Sequence, residues 1–434
     1  MNLLYANDKT GEYPASWYAA TATPLPPFAP LKGSVKADVC VIGGGYTGLS
    51  AALHLAQKGR KVVLIEAQRV GFGASGRNGG QLGSGQRVEQ DRLEKMVGPE
   101  RARILWQMGE EAKALVKGLI VEHDIDCHLK PGVAWTASKE SDLRHLHEYA
   151  EHLQNHYGYD QVTALDHAAL QEICPSPDYR GGVLDMGAAH LHPLNFALGL
   201  ARAADAAGAV IHERSEALQI IPGSPSRIRT AEGEIGADQV ILACNGYLGA
   251  LNRQVASRVM PINNFIIATA PLGSAIDKVL PRDVAIADSR FVVNYFRRSH
   301  DNRLLFGGGE SYGYRFPRDI AAKVRKPMSE IFPHLKDLQI DYAWGGTLAI
   351  TMNRTPVLAR LAPNILSASG YSGHGLGTAT HAGRLLAEAA VGQSDGFDVM
   401  AALPGPAFPG GAALRNPLLV LAMSWYGLRD RLGI

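Results

Sequence analysis

The stretch ADVCVIGGGYTGLSAALHLAQKGRKVVLIE, residues 37–66, decides how the chain is read. The apolar run Val39, Cys40, Val41, Ile42 enters a turn in which Gly43, Gly45 and Gly48 stand at G-x-G-x-x-G spacing. Leu49, Ala52, Leu53 and Ala56 then recur three and four apart, the period of an amphipathic helix, and Gly59 ends it. A second apolar run, Val62 to Ile65, closes on Glu66. The pattern is one β-α-β unit of about 30 residues with an acid about 20 residues past the glycines. Each residue type has a reason. Gly43 permits the tight turn, Gly45 lets backbone approach a pyrophosphate, and Gly48 lets helix and strand pack closely. The free N–H groups of the helix start attract phosphate, and Glu66 accepts hydrogen bonds from ribose hydroxyls. A glycine-rich turn alone would mean little. Strand, helix, strand and acid together predict a dinucleotide site.

Composition narrows the class. A chain of 434 residues predicts about two to three compact units. Hydrophobic residues at 46% and charged residues at 19% are ordinary for a globular enzyme, and a net charge of +2 carries no signature of nucleic-acid binding. Cys40, Cys127, Cys174 and Cys244 are far apart, which argues against a disulfide framework or zinc site and for a reducing, cytoplasmic setting. Residues 1–30 lack a basic stretch followed by an apolar core, so no signal peptide is expected. No apolar run reaches the length of a membrane span.

After Glu66, the segment AQRVGFGASGRNGGQLGSGQ is glycine-rich and has neither helical nor strand period. Long loops inside enzymes touch ligand. Ser75, Arg77 and Asn78 among small residues suit backbone amides and a few hydrogen bonds wrapped around a flat heterocycle. Residues 1–32 form an arm that either lies over the body or a neighbouring subunit, or is a loosely ordered terminus. Residues 89–123 and 139–156 read as helices, with a strand at 132–138. His123, His128, His145, His147, His152 and His156 sit mostly on a charged helix face, and metal binding is not expected there. Pro193 opens a further helix. His190 and His192 before it either line a cavity or form a packed pair. Strands are expected at 217–221, 228–230 and 237–249, then FIIATA, FVVNYF and RLLFGGG build a second sheet. Glu310 after them either attracts a cation or is a solvated turn acid. YAWGGTLAITMNRTPVL, 342–358, places aromatics beside glycines, as in a pocket wall. In ILSASGYSGHGLGTATHAGRLLAEAAVG, 365–392, a strand enters a glycine turn and a helix begins near Thr378. That helix end offers unpaired N–H groups suited to negative charge on a reduced flavin.

Three signatures, VIGGGYTGLSAALHLA with Glu66, GFGASGRNGGQL and GYSGHGLGTATHAGRLLAE, resemble the D-amino acid oxidase-like family of FAD-dependent oxidoreductases, which includes glycine and sarcosine oxidases. More narrowly, GFGASGRNGGQL, HLHPLNFALG, NRLLFGGG, YSGHG, FPGG and LRDRLG resemble the branch acting on gamma-glutamylputrescine and related polyamine conjugates. The resemblance covers nearly the whole chain. It implies an α/β fold with a Rossmann-like FAD domain of discontinuous segments (33–90, 165–256, 346–400). It also implies an α+β substrate domain with an antiparallel sheet (91–164, 257–345) and a C-terminal tail and helix (401–434). It implies oxidation of an amine to an imine by hydride transfer to flavin N5, then hydrolysis. O2 or another electron acceptor takes the electrons, self-association is allowed for, and an amino acid or imino acid oxidase is the alternative.

By the same resemblance Gly43, Gly45, Gly48 and Glu66 hold the ADP half and Ala217 meets the adenine. Gly73, Ala74, Ser75, Arg77, Asn78, Gly79 and Gly80 border the flavin, and Gly373, His374, Gly375 and Leu376 approach its pyrimidine edge. Tyr46, Thr47, Ala67 and Gly246 complete the expected cofactor set. His374 is the candidate charge stabiliser or proton relay, and Tyr295, Trp344 and Tyr371 are the candidate substrate wall. No Cys or His lies in the loop 71–85, so FAD is expected to be non-covalent. Two departures stand out. Gly377 occupies the place of a lysine that helps sarcosine oxidases hold a carboxylate, and Leu305 that of a lysine thought to promote reaction with oxygen.

Overall fold

The computed structural model describes residues 2–411. The expected C-terminal tail and helix, 401–434, lies outside them from residue 412 onward. The strand Gly33–Ile42 is central to an eight-stranded sheet and pairs in parallel with Gly233–Leu242 on one side and Val62–Ile65 on the other. Val210–His212 and Ile365–Ser369 extend the sheet in parallel, and Val357–Ala362 closes one edge antiparallel. Val62–Ile65 is buried on both faces, Val62 and Leu64 in the cluster under the helices and Val63 and Ile65 in a second cluster with Leu31 and Ile228. The chain leaves Gly33–Ile42 in two directions across the sheet. Its carboxyl end is therefore the switch point where ligands of such sheets bind.

Helices Tyr46–Gln57, Pro193–Ala206 and Gly375–Ala390 cover one face, and their apolar sides form the largest core cluster. The first and last approach backbone to backbone. A Cβ added at Gly383 would lie 2.3 Å from the Thr47 carbonyl oxygen, so only glycine permits that crossing. The expected helix over 89–123 is two helices, Gln90–Val97 and Pro99–Glu122. Gly98, at φ +85°, ends the first, and Pro99 starts the second.

The second sheet has nine strands, in the order Ile340–Ile350, Met260–Thr269, Leu304–Ser311, Tyr295–Arg298, Ala285–Asp288, Lys130–Ala137, Gly181–His190 and Gln81–Leu82, with Val162–Leu165 on Gly181–His190. It is antiparallel except where Ala285–Asp288 runs parallel to Lys130–Ala137. FVVNYF contributes strand only from Tyr295. Gly181–His190, Gln81–Leu82 and the whole of Ile340–Ile350 belong here. They cut across the expected FAD segments 165–256, 33–90 and 346–400, because register with Lys130–Ala137 and Met260–Thr269 outweighs proximity in sequence. Helix Ile320–Ile331 seals the far face of this sheet.

The arm packs on the body. Trp17 and Tyr18 are fully buried, Asp8 pairs with Arg77 at 2.8 Å, and the Leu31 N–H donates to Ser215 Oγ at 2.8 Å.

Candidate active site

A cavity of about 2090 Å³ opens where the carboxyl ends of the parallel strands meet the second sheet. Its walls include Gly43, Gly45, Tyr46 and Thr47 at the start of the first helix, and Glu66 and Ala67 at the end of the second strand. Gly73 to Ser75, Arg77, Asn78 and Gly79 come from the glycine loop; Ala217 and Gly246 follow; Gly373 to Leu376 come from the last helix start. Segments that are remote in sequence thus meet around one space.

The local geometry follows from residue type. At Gly43, φ is +111° and a Cβ would lie 2.7 Å from the Ala243 carbonyl oxygen. At Gly48 it would lie 1.8 Å from the Gly43 carbonyl oxygen. Gly48 lines no wall; its work is the helix–strand contact. Glu66 Oε2 accepts from the Gly44 N–H at 2.6 Å and Oε1 from the Gln68 N–H at 2.9 Å. Burial raises this carboxyl above its ordinary value, and those N–H groups oppose the rise. Two helices, Tyr46–Gln57 and Gly375–Ala390, begin at the cavity without a side-chain cap from their own N-cap residues, Gly45 and His374. Ser75 Oγ accepts from the Tyr46 N–H at 3.0 Å. Both starts leave N–H groups and positive dipole ends facing the cavity. A carboxylate at one end, two helix starts along the length and a floor of glycine backbone fit an elongated dinucleotide with a charged middle.

Other candidates serve the frame. The Arg77 guanidinium is buried and donates to Phe72 O (2.6 Å), Asp8 (2.8 Å) and Gly345 O (3.1 Å), locking loop, arm and second sheet together. Asn78 donates to Ala74 O and Ser75 O and accepts from the Gly80 N–H, so its side chain is engaged within the loop. Gly80 lies off the cavity, with its backbone against Leu191 O. Trp344 is not a wall residue. It is buried, its indole N–H donates to Arg77 O at 3.2 Å, and its ring meets Tyr18 edge-on. Tyr295 and Tyr371 do line the cavity. The Tyr295 hydroxyl donates to Asn264 Oδ1 at 2.5 Å and its ring stands over Gly79, where a Cβ would come within 2.7 Å. The Tyr371 hydroxyl pairs with Thr47 Oγ1 at 2.6 Å. Leu305 and Gly377 do not line the cavity.

Burial favours the neutral form of His374. Its Nε2–H donates to the Gly85 carbonyl at 3.2 Å, and burial, helped by the Arg87 charge, pushes the ring down to about 4. The charged form of the expected role is therefore absent near neutral pH. His190 and His192 are a packed pair. Burial brings His190 to about 3, and His192 Nδ1 caps the helix at Asn195. His145 and His152 pair with Glu89 and Glu94, and His147 donates to strand carbonyls. No group of three or more His, Cys, Asp or Glu is arranged to hold a metal ion among the described residues.

These histidines carry a prediction. His190, His374 and His381 sit at about 3, 4 and 3, below the ordinary 6.5, so the unfolded chain takes up their protons first. Stability is full above about 6.5 and is lost as pH falls toward those values. The melting temperature should fall by several degrees from pH 6.5 to pH 4, and less steeply in His381→Asn. A parallel fall in both proteins would remove His381 from the explanation. Flavin reduction by substrate in His374→Gln should keep the wild-type pH dependence between pH 6 and 9, since the buried His374 ring stays neutral across that range. A lost inflection would return His374 to proton transfer.

Sequence reasoning missed Gly44, whose N–H orients Glu66, and the polar residues Asn264, Arg87 and Arg354 on the wall. Only the middle position of the glycine turn hinted at Gly44. Glu310 also lines the cavity, half-buried, accepting from the Tyr312 hydroxyl at 3.0 Å.

A parallel sheet whose carboxyl ends border a cavity closed by a second sheet defines a dinucleotide-dependent enzyme that works at the boundary between the two. A family model described as FAD dependent oxidoreductase (DAO) matches residues 38–389, and the chain belongs to this family. It is 46% identical over 417 residues to a probable oxidoreductase OrdL of Rhizobium meliloti, covering 96% of this chain and 97% of that one. It is 42% identical over 426 residues to the gamma-glutamylputrescine oxidoreductase of Escherichia coli, covering 98% and 100%. The solved glycine oxidase of Geobacillus kaustophilus shares the fold, with a TM-score of 0.73 at 20% identity, 86% of this chain and 100% of that one being covered. No described helix is long and apolar enough to cross a membrane.

Proposed function

We propose that the chain oxidises the amine of gamma-glutamylputrescine, or of a closely related polyamine conjugate, with FAD held non-covalently. The observation that carries this reading is the 42% identity to gamma-glutamylputrescine oxidoreductase along that relative's whole length. Bound FAD would supply the two-electron acceptor that turns the amine into an imine, which water hydrolyses to an aldehyde and ammonia or an amine. The chain's own residues bind and orient. Glu66 and the first helix start suit the ADP half; Gly73 to Gly79 and the helix start at Gly375 suit the flavin. Tyr295, fixed by Asn264, and the carboxylate of Glu310 suit the approaching amine. Non-covalent binding is supported by the loop 71–85, which holds neither Cys nor His. Four free cysteines, three of them buried, support a cytoplasmic setting.

Anaerobic titration of the holoenzyme tests the reading. Gamma-glutamylputrescine should bleach the oxidised flavin bands, and glycine, proline and glutamate should not. Bleaching by free amino acids alone would transfer the chain to the amino acid oxidase branch. Acid precipitation should release the yellow chromophore, and retention in the pellet would overturn non-covalent binding.

A further inference from the structure

Of the arginines that line the cavity, Arg87, Arg92 and Arg354 share it with Glu310 and make no ion pair among the described residues. Arg87 is half-buried, and its Nε donates to Ser372 O at 3.2 Å, beside the turn that starts the last helix. Arg354 is half-buried and has a left-handed backbone, φ +66°, in the connection after Ile340–Ile350; Met352 on the same connection is 48% exposed. Arg92 is exposed, on helix Gln90–Val97. None of the three has a carboxylate within ion-pair distance among the described residues. Glu89, another acid on this wall, pairs with His145 at 3.0 Å. Burial lowers the Arg87 guanidinium below its usual range, with repulsion from Arg354 adding to it and Glu89 opposing; burial likewise lowers Arg354, with Glu310 opposing and Arg92 adding. Cations that share a wall without an ion-pair partner are stabilised by an anion that reaches them.

The placement is ordered. Tyr295 stands over Gly79 and bonds Asn264, and Asn264 faces Glu310 across the strand pair. Glu310 is coupled electrostatically to Arg354, and Arg354 to Arg92. The wall that carries Tyr295 and Asn264 thus continues to one acid, Glu310, which has Arg354 near enough to feel its charge.

We propose that Arg87, Arg92 and Arg354 form a binding site for a carboxylate that the substrate carries far from the carbon being oxidised, and that they select for it. This rests on the proposed function and deepens it. In gamma-glutamylputrescine the reacting amine is at one end and the amino-acid head, with its α-carboxylate, is at the other. The amine lies toward Tyr295 and Glu310, and the carboxylate lies among the arginines.

The test compares two amines that differ by that carboxylate: gamma-glutamylputrescine and 4-amino-N-(4-aminobutyl)butanamide. Wild-type holoenzyme should favour the first by about 100-fold in kcat/KM. Arg354→Asn, a residue that accepts the left-handed backbone, should cut turnover of the first about 30-fold through KM, and that of the second by less than about threefold. Arg92→Gln, on an exposed helix face, should act in the same sense by about threefold. Equal losses on both amines, or none, would overturn the site. If wild type oxidises neither amine, the proposed function falls while this site is still decided by calorimetry with gamma-glutamylbutylamine, which keeps the carboxylate and lacks the reacting amine. Binding weakened by Arg354→Asn sustains the site, and binding indifferent to that variant or to the carboxylate overturns it.

Discussion

Gly48→Ala should leave the purified protein without flavin and lower its melting temperature by at least several degrees. The added Cβ would sit 1.8 Å from the Gly43 carbonyl oxygen and 3.0 Å from its carbon. Both obstacles are backbone, so no side chain can rotate aside. The helix Tyr46–Gln57 must lift from the strand Gly33–Ile42, or the turn at Gly43 must change shape. Gly43 cannot yield easily, since its own Cα faces the Ala243 carbonyl. Overpacking of this kind costs about 3 kcal/mol, and here it also moves the helix start at Gly45 and Tyr46, which lines the cavity. Gly118→Ala is the control: it lies inside helix Pro99–Glu122 with nothing within 4 Å of an added Cβ, and should raise stability by about 0.5–1 kcal/mol. A Gly48→Ala protein with full flavin content and an unchanged melt would refute the close-packing role.

Glu66→Ala should weaken FAD binding about a hundredfold with little loss of fold. The carboxylate links the N–H groups of Gly44 and Gln68 to the cavity, and it stands at the end where the adenosine is proposed to lie. Its loss takes away the acceptor for those N–H groups and for a ribose diol. Hydrogen bonds to a charged group contribute about 1.5–3 kcal/mol each, and a net loss of about 3 kcal/mol is a hundredfold in Kd. Glu66→Gln keeps one acceptor oxygen but turns an amide NH2 toward a backbone N–H, so about tenfold is expected. Quenching of FAD fluorescence on titration into apoprotein measures both. Wild-type affinity in Glu66→Ala would displace the ribose from this end of the cavity.

Both variants touch the part of the molecule that is legible in the amino-acid sequence. Strand, turn, helix and acid in residues 37–66 are fixed by contacts local in sequence: hydrophobic period, helix start and the steric need for glycine. The same holds for the turn and helix after Gly370, although that helix starts three residues earlier than its period indicates, at Gly375.

The polar candidates behave differently, because the residue type says that a group will be satisfied and not by whom. Arg77 and Asn78 have the character of ligand contacts and do line the cavity, yet their side chains also hold the loop to itself, to the arm and to the second sheet. Trp344 has the character of a wall residue and is core under Tyr18, a residue more than 300 positions away. His374 does lie on the cavity, but its protonation depends on Gly85 and Arg87, which only the folded chain brings to it.

The sequence alone therefore determined the nucleotide-binding unit, whose geometry is written in residues within about one β-α-β span of each other. It also determined the family, through motifs spread along the chain. The tertiary structure decided which strands join the second sheet, since Gly181–His190 pairs with Gln81–Leu82, Lys130–Ala137 and Val162–Leu165, all earlier in the chain, and the first two only by long-range register. It decided, too, that Arg87, Arg92, Glu310 and Arg354 share one wall. Cavity walls are built from residues distant in the chain, and the burial and charge that set their chemistry are properties of that assembly rather than of any one segment.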